Sequence, residues 1–302
     1  MILTENHTLV DPDDMAGLID LAVVAEEAGF DAVMISEHLA MGPSAGALGR
    51  PVNPREYAAP GNQDPAMAWP SSIVLASAVA ARTRRIRIVL GAIIAPLRHP
   101  VALAKELATL DRLCEGRLVV QPTVSWHRDE YRALGVPFDK RGRILDEVLE
   151  ASVRLWHDTP ATYRGEFFDF EDVYSMPKPF EGARPSMWFG GQSMHPALLR
   201  RLIAYGDAFH PFGEPSAADL ATLRDALVAA GRDVEGFEMV GGTRAAFDGP
   251  DTTADLMAAM ETFEAQASAG FRTFCMKPSQ HTDDPAAVGD LCRRMVDFVS
   301  TL

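Results

Sequence analysis

The sequence predicts a closed (β/α)8 TIM barrel, a single domain over residues 1–302 with insertions in the loops after the second and fourth strands. Its 302 residues match the ~250-residue scale of one α/β barrel plus insertions. Short β-branched or aromatic apolar runs alternate with helices of 3.6-residue periodicity, the pattern of a parallel sheet covered by helices. Counting an opening strand gives eight such runs, and eight units in this length favour a closed barrel over an open doubly wound sheet.

Taken in order, residues 1–5 are a short first strand. A helix opened by Asp13 and Asp14 ends at Gly29, and strand 31–36 follows. Helix 71–82 leads to strand 86–94, and helix 100–113, stopped by Gly116, leads to strand 117–121. Helix 141–156 precedes strand 186–189, helix 195–205 precedes strand 207–211, and helix 217–230 precedes strand 238–247. Helix 254–269, strand 272–276 and helix 285–299 complete the chain. Two stretches interrupt the rhythm, 39–66, rich in Gly, Pro and Asn, and 158–185, rich in aromatic residues. Long irregular stretches of this kind are expected as lids or binding elements.

Composition narrows the function. Acidic residues outnumber basic ones by 42 to 28, a net charge of −14; such a chain repels nucleic acid and anionic membranes. Three cysteines without C-x-x-C spacing fit a reduced cytoplasm, and neither a signal peptide nor a membrane span is expected. No metal is expected, because H-x-H and H-E-x-x-H are absent. A serine nucleophile is unsupported without G-x-S-x-G, and G-x-G-x-x-G is missing for a Rossmann-type nicotinamide site.

In such a barrel the site is built at the C-terminal ends of the strands. This rule selects Glu37 and His38 after the second strand, Ala92 and Ile93 at the end of the third, and Thr123, Ser125, Trp126 and His127 after the fourth. It also selects Gly190, Gly191 and Gln192 after the fifth, His210 at the sixth, Arg244 near the seventh, and Lys277 and His281 after the eighth. The glycine pair lets backbone N–H groups approach a phosphate at the next helix N-terminus. Met41, Tyr57 and Trp69, in or beside the first long stretch, are candidates for lining an apolar substrate cavity, with Trp126 and His210 facing it.

Several segments in order resemble one family. They are AEEAGFDAVMISEHL, APLRHPVALAKELATLDRLCEGRL, Glu130-Tyr131, LGVPF (134–138) with Arg141, WFGGQS and Gly206-Asp207. On these the chain resembles the bacterial-luciferase-like monooxygenase superfamily, and within it the branch of coenzyme F420 (deazaflavin)-dependent oxidoreductases. The resemblance implies that Glu37 and His38 are the catalytic pair beside the deazaflavin ring, although many relatives have Asp at the first position. It implies a non-prolyl cis peptide at Ala92-Ile93 behind the ring and a phosphate-cradling turn at Gly190, Gly191 and Gln192. Where relatives often have G-x-G-x-G-W, this chain has QPTVSW: Trp126 is kept, the glycines are gone, and Thr123, Ser125 and Asp129 become candidate cofactor contacts.

The activity so implied is hydride transfer between the deazaflavin C5 and a small organic substrate. The alternatives are an FMNH2-dependent two-component monooxygenase, served by a flavin reductase, and a non-catalytic flavin-binding relative. A homodimer is expected, as is a reductase that supplies reduced cofactor.

Overall fold

The computed structural model of the protein describes residues 1–57 and 59–302. The chain runs through α1 (Met15–Glu27), β1 (Ala32–Ile35), α2 (Ser72–Arg82), β2 (Arg87–Ile93), α3 (Pro100–Leu113), β3 (Leu118–Pro122), α4 (Arg128–Ala133) and α5 (Arg141–His157). A hairpin, β4 (Ala161–Arg164) and β5 (Asp169–Val173), precedes β6 (Ser186–Phe189), α6 (Pro196–Tyr205), β7 (Ala208–Phe209), α7 (Ala217–Ala229) and β8 (Glu238–Gly242). The last elements are α8 (Leu256–Ala259), α9 (Phe263–Ser268), β9 (Thr273–Cys275) and α10 (Val288–Val299).

Seven strands form one parallel sheet in the order β1-β2-β3-β6-β7-β8-β9. The opening segment closes it. The Ile2 N–H donates to the Met276 carbonyl at 2.8 Å, and the Leu3 N–H to that of Met34 at 2.8 Å. The expected first strand is thus one bridging stave, Ile2 beside Met34, and the expected second strand is β1.

Side chains alternate across each strand, so one set fills the barrel and the other meets the helices. Ile2, Ala32, Met34, Val89, Val119, Trp188, Ala208 and Val240 pack inside. Leu3, Val33, Ile35, Ile88, Leu90 and Val120 pack outward with the helices. At the N-terminal end of the strands Arg87 grips Glu238 through two bonds of 2.9 Å, with its guanidinium 5.4 Å from the Trp188 ring centre. That ion pair plugs the end of the barrel away from the site.

Both long stretches differ from loops in the simple sense. Residues 158–185 leave from helix α5 rather than from the mouth of the barrel, and their β4–β5 hairpin lies along α5. Glu147 of α5 accepts the N–H groups of Glu166, Phe167 and Phe168 at 2.7, 2.9 and 3.2 Å. Residues 39–66 do leave from the mouth, after β1, and are strapped across it.

Candidate active site at the barrel mouth

Glu37 and His38 follow β1 and face opposite ways. The Glu37 side chain is buried and its oxygens are fully engaged: Arg98 donates at 2.7 and 2.8 Å, Ser72 Oγ at 2.5 Å and the Ile94 N–H at 2.8 Å. No lone pair remains for a ligand, so the place expected for a catalytic acid holds a carboxylate that ties β1 to α2 and to the turn after β2. His38 points into the mouth. Its Nδ1 lies 3.4 Å from Glu130 Oε2, and its ring stands edge-on to Trp69 at 5.0 Å and to Trp126 at 5.8 Å. With Nδ1 engaged, Nε2 is the nitrogen left for a ligand.

Glu130 was not among the residues selected from the sequence. It is buried on α4, where Oε1 accepts the Leu39 N–H at 2.5 Å and the Ala40 N–H at 3.3 Å. Burial pushes its carboxyl pKa up, but the His38 bond and the two N–H groups outweigh that and hold it below the ordinary 4.5. The acid partner of His38 is therefore Glu130, 92 residues away in sequence.

On β2, Gly91 pairs with Gln121 and Ile93 with Pro122, which leaves Ala92 as a bulged residue. The cis peptide is Gly91-Ala92, one bond earlier than expected, because the extra residue is Ala92 itself. A Cβ on Gly91 would meet Met34 Cγ at 2.8 Å, so a larger residue there requires the Met34 side chain to move. The Thr123 N–H donates to the Ile93 carbonyl at 2.9 Å and fixes the bulge from β3. Ser125 adopts φ 56° and brings its Oγ to 3.4 Å from Glu130 Oε2.

Asp129 does not face a ring edge. Its Oδ2 takes the Ser44 hydroxyl at 2.7 Å, and Arg132 occupies Oδ1 at 3.0 Å, because α4 turns that carboxylate toward the strap. His127 does similar work: its Nε2 accepts the Gly42 N–H at 2.7 Å, which requires a neutral ring, and burial pushes its pKa down accordingly. Met41 is thereby held between two anchored residues, Ala40 and Gly42. At the far end of the strap, Asn53 Nδ2 donates to the carbonyls of Gly249 and Thr252 at 2.9 and 2.8 Å, and Arg55 binds Asp251 and Asp283.

His210, after β7, sits within the mouth with Nδ1 3.0 Å from Gln121 Oε1 and Nε2 3.9 Å from Cys275 Sγ. Burial pushes its pKa down to about 4, so it is neutral at pH 7. Gly190 lies against its backbone, where a Cβ would stand 2.0 Å from the His210 carbonyl oxygen. Gly190→Ala is therefore expected to cost about 3 kcal/mol, the upper range for overpacking because backbone and not side chain must move; a shifted urea midpoint at unchanged m-value checks it. The Gly191 carbonyl accepts the Phe212 N–H at 3.1 Å, whereas Gln192 is exposed. Among the described residues the N–H groups of Gly191, Gln192 and Ser193 have no protein acceptor, a free cradle just before α6. His281 lies apart, its Nδ1 bonded to the Ala254 carbonyl at 2.9 Å.

The mouth thus brings His38, Trp126, Ser125, Thr123 and the Ala92 bulge together on adjacent strand ends, with His210 and the glycine turn continuing around the rim. Glu37 and Asp129 belong to the scaffold behind them. A perpendicular aromatic wall, a bulged backbone and a cradle of free N–H groups fit a flat, phosphate-bearing tricyclic cofactor.

Comparisons with known proteins agree with this architecture. The profile of the luciferase-like monooxygenase family matches residues 1–291. An FMNH(2)-dependent dimethylsulfone monooxygenase of Pseudomonas putida is 30% identical over 125 residues, 40% of this chain and 34% of that protein. An uncharacterised protein of Mycobacterium tuberculosis is 42% identical over 105 residues, 34% of this chain and 37% of its own length. The matches thus span about a third of those relatives. A second uncharacterised protein of that organism is 29% identical over 213 residues, 70% of each chain. Among solved structures, a monooxygenase from Streptomyces bottropensis superposes with a TM-score of 0.72 at 20% identity, covering 100% of this chain and 97% of the other. An F420-dependent secondary alcohol dehydrogenase superposes with a TM-score of 0.71 at 17% identity, covering 96% of each. Among the described residues no helix is long and apolar enough to cross a membrane. With its barrel closed by residues 1–3 and its polar mouth under a strap, the chain is an enzyme of the luciferase-like monooxygenase family.

Proposed function

We propose that the protein is an F420-dependent oxidoreductase that transfers a hydride between the deazaflavin and a small organic substrate. The observation that carries this reading is the pair of His38, just after β1, with Glu130 of α4, which engages Nδ1 and leaves Nε2 for a ligand. When bound, the deazaflavin supplies a hydride at C5. The protein's own groups do the rest. The bulge and Thr123 offer a backbone surface to one face of the ring, and the N–H groups of Gly191, Gln192 and Ser193 would hold phosphate. His38 would give a proton to, or take one from, the substrate oxygen as hydride passes to or from the carbon that bears it, and Glu130 would stabilise protonated His38. The strap excludes water.

A second reading has a specific observation in its favour: the Pseudomonas putida relative is FMNH(2)-dependent. It makes the protein the oxygenase of a two-component system, with a flavin reductase as partner. Titration of the purified protein with oxidised F420 and, separately, with FMN, followed by cofactor fluorescence, decides between them. The expected result is F420 binding at least about tenfold tighter than FMN, a difference of ~1.4 kcal/mol, and turnover that is the same with and without oxygen. Tighter FMN binding with oxygen-dependent turnover overturns the first reading in favour of the second.

A further inference from the structure

Lys277, just after β9, is 1% exposed. Its Nζ donates to the Glu56 carbonyl at 2.9 Å and stands 5.4 Å from the centre of the Tyr57 ring, and among the described residues no carboxylate comes within 4.0 Å of it. An ammonium has three N–H donors, and a buried charge with one of them placed on a neutral carbonyl is costly unless something else pairs with it. The Arg87–Glu238 pair at the other end of the barrel shows how this fold otherwise treats an interior cation.

Lys277 lines a cavity of about 170 Å3 under the strap together with Arg50, Gln63, Trp69 and the acidic Glu5, Glu56 and Asp64; Asp64 is taken by Arg50. Two residues of that lining each carry a polar atom buried without a partner, Trp69 Nε1 and Gln63 Oε1. A half-turn of the Gln63 amide, whose oxygen and nitrogen are assigned from their surroundings, would present N–H in place of oxygen. Burial pushes the Lys277 pKa down, and Glu5 offsets part of that. Trp69 also connects the cavity to the reacting centre, since its ring stands 5.0 Å from that of His38. At ~30 Å3 per water the space holds about six waters, which suits a short-chain acid.

We propose that this cavity is the anion subsite for the substrate: Lys277 Nζ and Trp69 Nε1 hold the carboxylate of a small organic acid whose carbon chain passes the Trp69 ring toward His38. The assignment rests on the reading of His38 as the group beside the reacting atoms. It names the substrate class as a short carboxylate bearing an oxidisable or reducible carbon a few bonds from its acid group.

The test is calorimetric titration of the full chain with butyrate and with butyramide, its neutral counterpart, in wild type, Lys277→Met and Trp69→Phe. Butyrate is expected to bind at least about tenfold tighter than butyramide, the value of one charge-assisted hydrogen bond in a desolvated site. Lys277→Met should abolish the preference while F420 and FMN affinities stay within about twofold of wild type. Trp69→Phe, which keeps a ring and removes one donor, should weaken butyrate by about threefold to tenfold. Equal binding of the two ligands by wild type, full butyrate affinity in Lys277→Met, or loss of cofactor and butyrate together in that variant overturns the proposal. Should Lys277→Met fail to fold, the wild-type ratio and Trp69→Phe decide. If a cofactor binds and butyrate does not, the subsite falls and the redox reading stands; if butyrate binds and neither cofactor does, the redox reading falls and the anion site stands.

Discussion

Glu37→Ala is expected to destabilise the fold by about 3–5 kcal/mol, the cost of removing one partner of a buried ion pair. The carboxylate satisfies two Arg98 nitrogens, a serine hydroxyl and a backbone N–H at once. Arg98 is itself largely buried, its side chain 13% exposed, so it cannot simply turn to solvent. Replacing both partners, as in Glu37→Met with Arg98→Met, is expected to recover most of the loss, because the uncompensated charge disappears with its partner. Urea unfolding of Glu37→Met, Arg98→Met and the double variant measures the coupling directly. A cost under about 1 kcal/mol for Glu37→Ala, the size of an exposed pair, would return Glu37 to the list of groups free to meet a ligand.

The same residue shows what could be read from the sequence and what could not. On β1, Val33 and Ile35 pack outward, while Ala32 and Met34 pack inward. Continuing the alternation puts Glu37 outside and His38 at the mouth, so strand parity alone separates the two members of a pair that the family resemblance treats together. The partner of His38 was harder to find. Glu130 lies on α4, a six-residue helix too short to show periodicity, between the expected strand 117–121 and helix 141–156. Its signals were the acidic first turn of Asp129 and Glu130 and the stop at Gly135, φ 70°.

Longer elements were legible because their patterns are redundant. Helix α3 begins at Pro100, ends at Leu113 and is followed by Gly116, as its proline start and glycine stop require. Strand β6 occupies residues 186–189 as expected. The expected helix 254–269 is two pieces, α8 and α9, since an apolar periodic run cannot reveal a bend at residues 260–262. The hairpin was hidden for another reason. Its strands are mostly exposed, and what fixes it is a set of backbone bonds to Glu147 on another element. The strap is likewise held by contacts that local sequence does not carry, such as Arg55 with Asp283.

His38→Ala is expected to lower the rate of hydride transfer by about 10²–10⁴-fold, the usual contribution of a positioned general acid or base; because the side chain is 8% exposed and pairs with buried Glu130, the urea midpoint of the variant is measured beside its rate. Glu130→Gln separates orientation from proton transfer. It keeps an oxygen that can accept from Leu39 and Ala40 but loses the charge that stabilises protonated His38. A fall in kcat of about tenfold to hundredfold is expected for it, with little change in KM, measured anaerobically on the first substrate found.

Stability supplies an independent check with a definite sign. The folded pKa of Glu130 lies below its ordinary 4.5, so its stabilising contribution is complete above that pH and is lost as pH falls through the lower folded value. The stability difference between wild type and Glu130→Gln should therefore shrink as pH falls below about 4.5. A difference that stays constant to pH 3, together with an unchanged kcat, would show that Glu130 acts through its shape and not its charge. In that case His38 would have to manage its proton without a carboxylate.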